Sequence, residues 1–162
     1  MSTRPRKSSD NTEETPKERI DRELTELLNG LRVLLPGVQV LLAFLLSVPF
    51  SSRFADVNGF QRTVFYVTLI AAALAVAMLG TPAAQHRVLF RAKEKEGMLR
   101  RANRYALLGS VAVAVSVSAG TLLIVDFVFN PVLAWVTASI FLAVMSWAWF
   151  VEPALHRNKE LS

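Results

Sequence analysis

Four apolar runs organise the chain: Val33 to Phe50, Val64 to about Ala84, Tyr105 to Val125, and Val128 to Val151. The third contains GSVAVAVSVSAG at 109–120, with valine at every second position from Val111 to Val117, which is the period of a half-buried strand. Its surroundings decide otherwise. Tyr105 to Val125 is 21 residues without a charge. A helix of that length crosses a hydrocarbon core of about 30 Å, whereas a barrel strand needs about half as many residues and alternates apolar with distinctly polar ones. The pattern therefore predicts a helix. Placed at about 100° steps, Gly109, Ala112, Ser116, Ala119 and Gly120 share one sector, and Ser110, Ala114, Ser118 and Thr121 share another nearly opposite. Small residues let helix backbones approach closely in lipid, so this helix is expected to be central, with a neighbour on each slim face.

The same reading applied to all four runs predicts an all-α fold: a single-domain integral membrane four-helix bundle (residues 33–152), preceded by an N-terminal amphipathic cytoplasmic helix. The spans are placed at about 33–50, 64–84, 105–125 and 128–151. Asp126 and the Asn130-Pro131 pair are the strong interruptions between the last two spans, which predicts a tight helical hairpin. The first run follows a largely polar segment of 32 residues and ends in Pro49-Phe50 rather than a small-residue cleavage site, so it is expected to be a retained anchor and not a signal peptide. Thr81-Pro82 is expected to kink or end the second span, Gly97 to mark the turn back, and Glu152-Pro153 to end the fourth span, leaving 153–162 as a short tail.

Outside the apolar runs, residues 1–14 lack any hydrophobic cluster and are expected to be disordered. Residues 15–32, TPKERIDRELTELLNGLR, carry the signals of a helix start: Thr15 as N-cap, Pro16 at the first helical position, and Glu18 completing a capping box. Ile20, Leu24, Leu27, Leu28 and Leu31 share one face, and Glu18, Arg22 and Glu26, with Arg19 and Glu23, pair at four-residue spacing on the other side. The segment from Lys17 to Leu31 has a net charge of −1, the opposite of what an anionic membrane surface attracts. Its leucine stripe is therefore expected either to dock on the basic elbow at 86–104, through Val88, Leu89, Met98 and Leu99, or to receive a partner protein. That elbow, HRVLFRAKEKEGMLRRANR, carries His86, Arg87, Arg91, Lys93, Lys95, Arg100, Arg101 and Arg104, a cluster suited to anionic lipid headgroups.

Charge gives the expected orientation. Of the 18 Lys and Arg residues, 16 lie in segments that fall on one side when both termini are cytoplasmic, and 2 on the other. The expected location is the bacterial plasma membrane, multi-pass, with the lipid bilayer as the principal partner. A composition of 52% hydrophobic residues with mean hydropathy +0.37 agrees, and the absence of cysteine removes disulfide and thiol chemistry. The net charge of +5 resides in the elbow, next to lipid, so no nucleic-acid partner is expected.

Three stretches taken together, ELTELLNGLRVLLPGVQVLLAFLLSVPF, FQRTVFYVTL and TPAAQHRVLFRAKEKEGMLRRANR, resemble a family of small four-span bacterial membrane proteins, mostly actinobacterial, classed as a domain of unknown function. The resemblance extends over roughly residues 22–152, with the middle motif the most distinctive. It implies four spans and brings no catalytic residue with it.

Candidate chemistry is sparse. Asp126 stands at the end of a span, where facing water at the hairpin competes with proton or cation binding. Gln39, inside the first span and three residues after Pro36, is expected to make a buried polar contact that glues helices together, alongside the small packing residues Gly109, Ala112, Ala114, Ser116, Ser118 and Gly120. His86 and His156 lack a paired carboxylate or cysteine spacing, so no metal and no cofactor is expected. No phosphate-binding loop, HExxH or GxSxG occurs, and an enzyme is not expected. The expected role is a scaffold, accessory subunit or envelope-associated module, working with a membrane-protein partner or as a homo-oligomer. A small channel or transporter built on helices interrupted at Pro36 and Pro82 is the alternative.

Overall fold

A computed structural model describes residues 15–89 and 95–155, the side chains of 16–17, 86–89 and 95–96 excepted. The predicted tail at 1–14 and the terminal residues 156–162 lie outside it. The described chain is helical: α1 (Pro16–Ser47), two short 3-10 turns (Val48–Phe50 and Ser52–Asp56), α2 (Gly59–Leu89), α3 (Lys95–Val128), and α4 (Pro131–Ser146), which continues through a π-helical stretch, Trp147–Val151. Four helices are long and apolar enough to cross a membrane.

The start of α1 is built as its sequence dictates. The Thr15 hydroxyl accepts from the Glu18 amide at 3.4 Å, and the Glu18 carboxylate accepts from the Thr15 amide at 2.9 Å. Arg19 pairs with Glu23 at 2.8 Å and Arg22 with Glu26 at 3.3 Å, each exposed and each contributing a few tenths of a kcal/mol at most. The predicted boundary at residue 32 is absent: the charged segment and the first span are one uninterrupted helix. Nothing between Arg32 and Val33 breaks the ladder, and the buried positions Leu24, Leu31, Val38 and Leu45 recur every seven residues across the junction.

Both prolines expected to interrupt spans are carried inside continuous helices, Pro36 in α1 and Pro82 in α2. A proline removes one intrahelical donor, and neighbouring turns and packed side chains hold the helix together across it. Gly97 is likewise inside α3 and not at a turn, and residues 90–94 lie outside the described residues. Helical structure also persists past Glu152-Pro153 to Leu155, so this pair does not end the fourth helix. The hairpin between α3 and α4 is as short as predicted, with Phe129 and Asn130 between them, and the Asn130 side chain accepts from the Leu133 amide at 2.9 Å to cap α4.

Packing centres on α2 and α3, whose most apolar windows are 39% and 28% buried, against 11% each for α1 and α4. α1 lies against α2 and α3, and α4 lies along α3. Among the described residues the α1 and α4 backbones do not approach each other, and Met145 of α4 packs on the cluster that includes Leu31 and Val38 of α1. α4 reaches α2 through side chains alone: Val64 joins Leu122, Ala134 and Ala138 in one cluster, and the Phe60 and Trp135 rings stand 6.1 Å apart.

Candidate functional site

The α2/α3 interface is made by small residues. Gly109 is buried against α2, and a Cβ there would lie 2.6 Å from Leu79 Cδ2. Two turns on, the Ser116 hydroxyl donates to the Thr68 carbonyl at 3.0 Å, while the Thr68 hydroxyl donates to the Val64 carbonyl at 2.8 Å; both side chains are wholly buried. At Gly120 a Cβ would meet Thr68 Cγ2 at 3.4 Å. Ala112 packs on the cluster of Leu31, Val38, Ala75, Leu79 and Val113. The opposite slim face follows Ala114, Ser118 and Leu122, all buried, and Leu122 leads to Ala134 and Ala138 of α4. Ser110 and Thr121 donate their hydroxyls to their own helix, at the Ala106 and Val117 carbonyls. The Ser118 hydroxyl has no hydrogen-bond partner among the described residues.

A polar latch closes the end where the 3-10 turns and the α3/α4 hairpin lie. Asn58 and Gln61 cap α2 reciprocally: the Gln61 amide donates to Asn58 Oδ1 at 2.9 Å, and the Asn58 amide donates to Gln61 Oε1 at 3.1 Å. Gln61 Nε2 then donates to Asp126 Oδ2 at 2.8 Å, across 65 residues of sequence. Asp126 thus lies inside the last turn of α3, half-buried and hydrogen-bonded to the first turn of α2.

Beside the latch, α1, α2 and α3 diverge to leave an apolar cleft of about 450 Å³, lined by Leu41, Phe44, Leu45, Phe54, Phe65, Val117, Leu123 and Phe127 among others. Ser116 and Thr121 also line it, but their hydroxyls are committed to backbone carbonyls. Arg53 stands at its lip, over the Phe127 ring at 5.5 Å and 3.6 Å from Asp56. The cleft presents apolar walls and one guanidinium, an arrangement suited to holding hydrocarbon and not to polarising a substrate.

At the far end, Leu24 is buried with Met98 and Ala102, and Leu27, Leu28 and Leu99 pack around them. Leu31 belongs to the neighbouring cluster with Val38 and Leu79, and Ile20 is half-buried. The leucine stripe of α1 therefore meets the first turns of α3. Arg100, Arg101 and Arg104 are exposed there, with Arg101 Nε donating to the Gly97 carbonyl at 3.2 Å. The other elbow positions, the side chains of His86, Arg87 and Lys95 together with Arg91 and Lys93, lie outside the described residues, as do the side chains of Val88 and Leu89.

Within its own chain, Gln39 does not make the expected buried contact. It is exposed on the outer side of α1 and makes no hydrogen bond among the described residues. The side of α1 that packs inward is set by Val38 and Leu45, about 100° away from Gln39 around the helix, and polarity alone does not report that rotation.

A family model described as a family of unknown function, DUF6328, matches residues 13–153. The chain belongs to the DUF6328 family. No curated protein and no solved structure matches it. In this DUF6328 member, no group of three or more His, Cys, Asp and Glu side chains is gathered into a metal-binding arrangement among the described residues. Two polar residues emerge that the sequence did not single out, Gln61 and Thr68. Asn58 three residues before Gln61 was the available local signal, since that spacing marks a helix cap.

Proposed function

We propose that this DUF6328 member is a multi-pass protein of the bacterial plasma membrane, with both termini cytoplasmic, that serves as a scaffold or accessory subunit for other membrane proteins. The observation that carries this reading is the uneven covering of its helices. α2 and α3 form the packed centre, while only 11% of the apolar window of each of α1 and α4 is buried and most of the remaining positions are exposed. Lipid can cover such faces, and so can helices of other proteins, for which exposed and shape-defined helix surfaces are the usual docking elements in membranes. The exposed Arg100, Arg101 and Arg104 support contact with anionic headgroups on the cytoplasmic side, each basic residue near such a surface contributing about 1 kcal/mol. Leu24 packs on Met98 and Ala102, so the charged start of α1 lies beside the start of α3 that carries Arg100, Arg101 and Arg104, which supports placing both on one side of the membrane.

The transporter alternative drew on helices broken at Pro36 and Pro82, and with both helices continuous it loses that support. The test is affinity purification from native membranes in mild detergent. A membrane protein recovered in fixed stoichiometry, and lost when α4 residues such as Ile140 and Val144 are changed to bulkier side chains, supports the reading. Solute or ion flux through vesicles holding the pure protein overturns it in favour of a transporter.

A further inference from the structure

The exposed side of α1 has a pattern of its own. Leu24, Leu31, Val38 and Leu45 are buried against the rest of the fold. About 120° further round the helix, Asn29, Arg32, Pro36, Gln39, Ala43 and Leu46 are all exposed, and their spacing alternates three and four residues. That alternation is the seam along which a second helix packs with a left-handed crossing. Nothing in the described fold occupies it. Gly37, on the flank of the seam, has open space where a Cβ would point.

Gln39 identifies the occupant. It lies six residues into the apolar run that begins at Val33, about 9 Å along the axis, which places its backbone within the hydrocarbon when α1 spans a bilayer. Lipid tails offer its amide nothing, and a polar side chain facing hydrocarbon alone is costly. A primary amide carries both an acceptor oxygen and two N–H donors, so it is complementary to itself. Two copies related by a two-fold axis along the membrane normal bring the same residue face to face, and each amide then donates to the other. Ala43, one turn on, is small enough for close approach, and a polar residue at one core position of such a seam fixes register and strand number.

We propose that α1 is a homodimer interface: two copies pair in parallel along the seam from Asn29 to Leu46, with the Gln39 amides hydrogen-bonded across the two-fold axis. This rests on the reading that α1 spans a bilayer, and it assigns the partner of one of the two uncovered helices.

The chain has no cysteine, which makes disulfide mapping direct. Single variants Ala43→Cys, Leu46→Cys and Leu41→Cys, purified and reconstituted at low density in phosphatidylcholine vesicles, are oxidised and scored for covalent dimer. Ala43→Cys and Leu46→Cys should crosslink well above Leu41→Cys, whose side chain lines the cleft. Adding Gln39→Leu to Ala43→Cys should lower the dimer fraction at least about threefold, and Gln39→Asn should preserve it, as expected for an interhelical side-chain hydrogen bond. Because Gln39 is exposed and makes no hydrogen bond within its own chain among the described residues, Gln39→Leu should leave the melting temperature of detergent-diluted monomer unchanged. Equal crosslinking at the three positions, or a dimer indifferent to Gln39→Leu, overturns the proposal. A different membrane protein that copurifies in fixed stoichiometry while α1 stays silent also overturns it, yet leaves the accessory-subunit reading intact.

Discussion

Gly109 and Leu79 are packed so closely that the glycine hydrogen is all the interface admits: a Cβ on Gly109 would lie 2.6 Å from Leu79 Cδ2, 2.7 Å from Cγ and 3.3 Å from the backbone nitrogen. Leu79 is itself 1% exposed and cannot swing into open space. Gly109→Ala should therefore destabilise the protein in detergent by about 1–3 kcal/mol, the usual cost of overpacking. Gly80→Ala is the matched control, since a Cβ there meets nothing and alanine is the better helix former. Leu79→Ala combined with Gly109→Ala should recover part of the loss relative to the sum of the single changes. Equal melting temperatures for Gly109→Ala and Gly80→Ala would show that the helices slide apart at no cost.

What the sequence made legible here is what depends on local order along the chain. The four long apolar helices, the Thr15 cap, the short hairpin at Asn130-Pro131 and the small-residue face from Gly109 through Ser116 to Gly120 follow from hydropathy, capping chemistry and a 3.6-residue period. The features that differ depend on three-dimensional placement. A polar residue in an apolar run needs a partner, and that rule is silent on which chain supplies the partner of Gln39. Pro36 and Pro82 do not end their helices, since one missing N–H does not break a helix held on both sides by long apolar turns. The Gln61–Asp126 hydrogen bond joins residues 65 apart, and no local pattern contains it.

That hydrogen bond should be worth measuring by a double-mutant cycle. Gln61 is 7% exposed and donates to a carboxylate, so losing either partner leaves a half-buried polar group unsatisfied, at a cost of about 1–3 kcal/mol. Gln61→Leu and Asp126→Leu should each lower detergent stability, and the double variant should lose about 0.5 to 3 kcal/mol less than the sum. Gln61→Leu also removes the reciprocal cap with Asn58, so Asp126→Leu isolates the long-range bond better. Strict additivity of the two changes would sink the latch.

Membrane orientation is testable in the same cysteine-free background. The bias of 16 basic residues to 2 favours cytoplasmic termini. Cysteines at Ser51 or Asn58, both exposed in the segment joining α1 to α2, should react with an impermeant thiol reagent added to intact cells. Cysteines at Ser8 or Asn158 should react only after the membrane is opened. Labelling of the second pair in intact cells would reverse the topology.

The contact between α1 and the start of α3 separates an internal brace from a surface awaiting a partner. Leu24 is 6% exposed and Met98 7%, with Ala102 between them at 1%, so the leucine stripe is already covered by its own chain. Burying a leucine and a methionine side chain contributes about 1.5–3 kcal/mol each, whereas the exposed Arg19–Glu23 and Arg22–Glu26 pairs add little. Cysteines placed together at Leu24 and Met98 should therefore form an intramolecular disulfide, or accept a short bifunctional crosslinker, in the purified protein with nothing else present. Leu24→Ala should destabilise by about 2–5 kcal/mol if the cluster stays packed around the gap, while Glu23→Ala, on the solvent side, should change stability by no more than about 0.5 kcal/mol. A Leu24 and Met98 pair that joins only in native membranes, with Leu24→Ala as mild as Glu23→Ala in the pure protein, would mean that the stripe is held by another molecule and not by α3.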